Sequence, residues 1–136
     1  MKSKKITISV SDSIGSISGE VMAGDDMRSL YVFAHGAGAG MNHPFMVRLS
    51  EALASLKIGT LRFNFPYMEK GSKRPDVPAV AERTVNRAIE TAVQMFPEIP
   101  PLAGGKSFGG RMTSQALSKS PDTGAKGLVF VGFPLH

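Results

Sequence analysis

The chain has 136 residues, 42% hydrophobic and 20% charged, with a formal net charge of +5 and no cysteine. Such a chain is one domain's worth, long enough to bury a core and too apolar to be disordered, and no run approaches the ~20 apolar residues of a membrane span. The missing cysteines exclude disulfides, thiolate zinc sites and a cysteine nucleophile.

At the N-terminus Lys2, Lys4 and Lys5 precede Ile6–Val10, an apolar stretch too short for a signal peptide and followed by Ser11, Asp12 and Ser13. The expected compartment is therefore the cytoplasm. A second basic run, Lys70, Lys73 and Arg74, is equally short and lacks interleaved aromatics. Both suit a solvated surface rather than a nucleic-acid groove, so neither nucleic acid nor membrane is an expected partner.

Residues 6–10 and 14–22 alternate apolar and polar, which predicts two half-exposed strands, with a turn at Gly24-Asp25-Asp26. Leu30-Tyr31-Val32-Phe33-Ala34 is a nearly continuous apolar run, the mark of a strand covered on both faces. Phe45, Leu49, Ala52, Leu53 and Leu56 then recur at helical spacing behind Pro44, which fits a first helical turn. His43 is expected to open that helix and to have no chemical role. A strand is predicted over 60–65 by its period of two.

Asp76 is placed as the cap of a helix running through Phe96. Its inner stripe is Ala81, Val85, Ala88, Ala92 and Phe96, and its solvated stripe is Glu82, Arg83, Asn86, Arg87 and Glu90. Pro97, Pro100 and Pro101 stop it. A short strand over 102–104, a helix after Ser107 and a strand over 127–133 complete the series. Two strands followed by repeated βα units imply a mostly parallel sheet with helices on both faces. In such sheets chemistry gathers at the carboxyl ends of the strands, where His35-Gly36, Asn64-Phe65-Pro66 and Ser107 all fall.

Gly105-Lys106-Ser107-Phe108-Gly109 has the form of a nucleophile elbow. Glycines two residues either side of the serine permit a sharp strand-to-helix turn that lifts the hydroxyl above the sheet. The rival is a phosphate loop, since Gly105-Lys106-Ser107 matches the end of that motif. Its first glycine would fall on Pro100, which lacks the amide such a loop uses. The glycine-rich run His35–Gly40 exposes main-chain amides that can form an oxyanion hole. The first donor is expected from Phe108, the second from Ala37 with Gly38 as the alternative. His35 is expected to be structural, bonding the loop backbone.

The blocks LYVFAHGAGAGMNHPFM, RFNFPYMEKGSKRPD, GGKSFGGRMTSQA and GLVFVGFPLH, taken together, resemble small α/β-hydrolase-like proteins related to dienelactone hydrolases, of the testis-expressed and nonspecific-lethal subunit 3 type. The resemblance spans roughly residues 30 to 136. It implies an α/β-hydrolase-like three-layer sandwich with Ser107 as the nucleophile of ester, lactone or thioester hydrolysis. The acid and histidine of such an enzyme follow later strands than this chain contains, so it is expected to be an incomplete hydrolase, truncated after the strand behind the nucleophile helix. Asp122 and His136 follow Ser107 in the required order. Asp122, however, belongs at the opposite edge of the sheet, and His136 lacks an orienting partner. Two other readings stay open: a non-catalytic scaffold or binding module, and a composite site completed by a partner chain.

The remaining expectations concern polar residues. Arg62, on a strand covered on both faces, needs a partner, with Glu69 or Asp76 as candidates. Lys106, Arg111 and Asn64 are candidate substrate contacts. Lys106, Arg111 and Arg74 around the mouth would favour an anionic small-molecule acyl substrate. No cofactor is expected, and no His, Asp and Glu cluster has metal-ligand spacing. The apolar strand over 127–133 at a sheet edge predicts self-association.

Overall fold

The computed structural model describes residues 1–132. Strands β1 (Lys2–Ser11) and β2 (Gly15–Ala23) form an antiparallel hairpin, turned at Gly15 with φ 92°. β2 also pairs antiparallel with β4 (Ile58–Phe63). From there β3 (Ser29–Ala34), β5 (Pro101–Lys106) and β6 (Gly127–Val131) continue the sheet with parallel pairing. The order is β1-β2-β4-β3-β5-β6.

β3 is the apolar centre. Leu30, Val32 and Ala34 join one core, and Tyr31 and Phe33 join the other. Helix α1 (Pro44–Ser55) covers the Tyr31/Phe33 face through Met46 and the flanking Phe45, Leu49 and Leu53. Helices α3 (Pro78–Met95) and α4 (Phe108–Lys119) cover the opposite face with Ala81, Val85, Ala88, Ile89, Met112 and Ala116. The predicted three layers follow. Side chains such as Phe33, Phe63 and Leu61 are fully buried, each stabilising by about 2–3 kcal/mol relative to exposure.

Several boundaries differ from those predicted, each for a local reason. β4 ends at Phe63, because Pro66 opens a four-residue helix, α2 (Pro66–Glu69), capped by Phe65. Asp76 does not cap α3. Pro78 holds the first turn, and Val77 before it is driven extended (φ −62°, ψ 152°), which makes Val77 the cap. The Asp76 carboxylate instead accepts the Tyr67 amide at 3.0 Å. Glu82 is not solvated, because α4 packs across it and Lys119 Nζ meets its carboxylate at 2.9 Å. β5 is longer than expected, running from Pro101 to Lys106. β6 is described to Val131, and the expected extension to Phe133 lies outside the described residues.

β6 is, with β1, one of the two edge strands among the described residues, and its Leu128 and Val129 are about 40% exposed. It carries an unusual tie. Gly104 on β5 has no side chain, and a Cβ there would sit 1.7 Å from the Val129 carbonyl oxygen. Through that gap the Tyr31 hydroxyl of β3 donates to the same oxygen at 2.8 Å.

Candidate active site

Three loops meet at the carboxyl edge of the parallel strands: residues 35–43 after β3, 64–65 after β4 and Ser107 after β5. Ser107 stands between β5 and α4 with φ 53° and ψ −113°, a conformation few non-glycine residues adopt. Holding it costs about 1–3 kcal/mol. The serine is exposed while Phe108, Gly109 and Gly110 behind it are buried. The flanking glycines make the turn possible. A Cβ on Gly105 would lie 2.3 Å from the Ala34 carbonyl oxygen, and one on Gly109 2.4 Å from that of His35. Helix α4 is therefore pressed against the end of β3, and its first-turn amides, which lack intrahelical partners, open beside Ser107.

The loop after β3 comes to the serine. A Cβ on Gly36 would lie 3.7 Å from Ser107 Cβ. Ala37 and Gly38 are exposed, and Gly38 turns the chain at φ 82°. His35 anchors the loop from below. It is fully buried, its Nδ1 lies 2.8 Å from the Gly36 carbonyl, and its Nε2 accepts the Phe65 amide at 3.0 Å. An accepting Nε2 and a donating Nδ1 define one neutral tautomer. Burial lowers the pKa of this imidazole, partly offset by the Gly36 bond. His35 is thus structural, as its sequence position suggested.

Tyr67 packs beside these residues, with its ring 6.2 Å from that of Phe108 and 6.0 Å from that of His35. Its pKa is raised, by burial first; the Gly38 amide beside the hydroxyl, outside hydrogen-bonding geometry, opposes this shift.

A hollow of about 150 Å³ opens between Ser107, the 36–39 loop and the start of α1. Lys106 lines it, with Nζ 4.5 Å above the centre of the Phe45 ring. His43 lines it too, and this was not foreseen. Its Nδ1 caps α1 by accepting the Phe45 amide at 3.2 Å. The signal available was a histidine directly before a helix-opening proline.

The other predicted residues go elsewhere. Asn64 lines a separate hollow near Lys5, Thr7 and Glu20; its Oδ1 accepts the Met41 amide at 2.9 Å and its Nδ2 donates to Glu69 at 3.2 Å. It stitches loops together. Glu69 also accepts the Ser18 amide. Arg62 is buried as expected, but its partner is Glu20 at 2.7 Å, neither Glu69 nor Asp76. The cause is register, since β2 and β4 pair with Glu20 opposite Arg62. Arg62 also donates to the Met41 carbonyl at 2.6 Å.

Arg111 is exposed on α4 and Arg74 is exposed before α3, and neither lines the hollow. Asp122 lies in the connection whose Lys126 amide bonds the Pro101 carbonyl, at the amino end of β5. A six-residue strand of about 20 Å separates it from Ser107. His136 lies outside the described residues.

A family profile described as "Alpha/beta hydrolase domain" matches residues 27–136. Among solved structures, the fold is similar to a dienelactone hydrolase from Anabaena variabilis ATCC 29413, at 20% identity and a TM-score of 0.80. That match covers 97% of this chain and 63% of the other. A putative alpha/beta hydrolase of unknown function from Agrobacterium tumefaciens is similar at 18% identity and a TM-score of 0.76, over 96% of this chain and 60% of that one. A serine hydrolase without a lid from Xanthomonas campestris matches at 18% identity and a TM-score of 0.71, over 88% and 57% respectively. No curated protein matches. The chain spans less than two thirds of the length of these three structures.

Proposed function

This chain belongs to the alpha/beta hydrolase domain family, and from that premise we propose that it carries the nucleophile and oxyanion hole of a serine hydrolase acting on esters, lactones or thioesters. The observation that carries the reading is Ser107 itself: an exposed hydroxyl on backbone held at φ 53° and ψ −113°, at the head of a helix. Backbone strain of this kind persists where its surroundings over-determine it, and here two glycine contacts with Ala34 and His35 do so.

In the proposed reaction Ser107 Oγ attacks the acyl carbon and the carbonyl oxygen gathers negative charge. The Phe108 amide and the Ala37 amide receive that charge. Ala37 is preferred over Gly38 because Ala37 lines the hollow with Ser107 and Gly38 does not. The hydroxyl proton passes to a histidine oriented by an acid, both contributed from outside residues 1–132. His35 is unsuited to that role, with both ring nitrogens engaged and its charged form disfavoured by burial. His43 is unsuited too, with Nδ1 spent on the cap of α1.

The proposed partner is a small acyl substrate and the proposed compartment the cytoplasm. Among the described residues no helix is long and apolar enough to cross a membrane. Self-association through β6 is proposed on the exposure of Leu128 and Val129.

A fluorophosphonate probe, applied to the chain together with the segment or partner that supplies the histidine and acid, tests the assignment. The expected result is a covalent adduct mapped by mass spectrometry to Ser107 and abolished in Ser107→Ala. A folded chain that stays unmodified would overturn it in favour of a non-catalytic binding module.

A further inference from the structure

We propose that the hollow beside Ser107 is a subsite for a short acyl chain ending in a carboxylate, with the Lys106 ammonium and the His43 Nε2–H as its recognising groups. The proposal rests on the reading of Ser107 as the attacking group, because that reading makes the hollow the place where the acyl chain lies.

Size sets the first limit. A cavity of about 150 Å³ holds a benzene-sized body, so the chain that fits has about four carbons. Ala37, Ala39 and Met46 provide apolar wall for its methylenes.

Polarity sets the second. A surface lysine normally samples many rotamers, but Lys106 has its Nζ seated over the Phe45 ring at 4.5 Å. The ring face holds the cation at the rim of the hollow, so little further ordering is required when an anion arrives. His43 is fixed by a different bond. Its Nδ1 accepts the Phe45 amide, so in the neutral ring the proton resides on Nε2, which can only donate. Both polar side chains of the wall besides Ser107 are therefore donors, and no Asp or Glu is among the described residues lining it. A neutral acyl chain of the same length leaves both donors unmet, whereas a terminal carboxylate engages both. Arg111 and Arg74, the other cations expected near the mouth, take no part.

The experiment titrates the isotopically labelled chain with monomethyl succinate and, separately, with methyl butyrate, its neutral analogue of equal length, following backbone amide resonances. The anion is expected to bind at least about tenfold more tightly and to shift the amides of residues 36–39, 43, 45–46 and 106–108. Lys106→Met should cut the anion's advantage over the neutral ester to the small remainder that His43 supplies, while Lys106→Arg stays within about threefold of the parent. His43→Ser keeps a competent helix cap, removes the second donor, and is expected to weaken the anion about three- to fivefold. Equal affinities for the two ligands, a preference undiminished by Lys106→Met, shifts confined to other residues, or no binding of either ligand would each overturn the subsite.

Binding requires no proton acceptor, so this test is separable from labelling of the serine. Carboxylate selectivity with an unreactive Ser107 would sink the hydrolase reading and leave a carboxylate-binding hollow. A reactive Ser107 without selectivity would sink the subsite alone.

Discussion

The loops after β4 and β5 end at the same edge of one sheet, and both present polar residues there, yet they are built to opposite purposes. After β4, Asn64 divides its amide between Met41 and Glu69, and Phe65 gives its N–H to His35. On the strand itself, Arg62 is held by Glu20 and the Met41 carbonyl. After β5, Ser107 is exposed on strained backbone, with open helix amides behind it. Position at the carboxyl edge is shared, so it does not distinguish scaffold from chemistry. What distinguishes them is that the Asn64 side chain and the Phe65 amide already have their partners, whereas the Ser107 hydroxyl stands exposed.

The comparison can be broken most forcefully at Gly109. Adding a methyl in Gly109→Ala places a Cβ 2.4 Å from the His35 oxygen and 2.6 Å from that of Ala34, both main chain and unable to yield. The expected loss is about 3 kcal/mol, seen as a lower thermal midpoint, together with slower fluorophosphonate labelling. An unchanged midpoint would mean that α4 does not press on β3 as described.

Glu20→Gln probes the satisfied side. It leaves the nearly buried Arg62 guanidinium without its counter-charge and should cost about 2–3 kcal/mol in denaturant melts, with labelling of Ser107 retained. Loss of labelling without loss of stability would reverse the division drawn above.

Acid should act on His35. Burial lowers its folded pKa below the unfolded value of about 6.5, so the unfolded chain binds the extra proton first. The contribution of the neutral ring is complete above that value and is lost as pH falls toward the folded pKa. Thermal midpoints measured from neutral to mildly acidic pH should therefore decline, and His35→Gln should flatten the slope over that window.

Ser107→Gly should move in the other direction. Glycine relieves the positive φ, so stability should rise by about 1 kcal/mol while labelling disappears. The smallest effects are expected from Arg111→Ala and Arg74→Ala. Both are exposed and away from the hollow, and each should stay within about 0.5 kcal/mol of the parent with labelling intact.

The order of elements, the two-sided burial of β3 and the sharp strand-to-helix turn at Ser107 were legible because each is local. Alternation, helical spacing and a serine bracketed by glycines are patterns that need no knowledge of neighbours. The partner of Arg62 was not legible. It depends on β2 pairing with β4, which brings Glu20 across 42 positions of sequence, whereas Glu69 and Asp76 merely stood closer along the chain. Glu82 was assigned to solvent for a similar reason, since its helical stripe is polar until α4 and Lys119 cover it. The four residues of α2 are too few for any periodicity to register. His43 could be read as a helix opener. Its place in the wall of the hollow depends on the 36–42 loop folding back over the end of β5.

The bond from Tyr31 to Val129 leaps over a whole strand, made possible by the bare backbone at Gly104. It works as a tether, making the margin of the sheet answer to its middle. Slippage of β6 by a single position would cut it, since the neighbouring carbonyls point elsewhere along the pleat. The rim therefore inherits the alignment of the innermost strand, and any further strand laid against it would find that alignment already set.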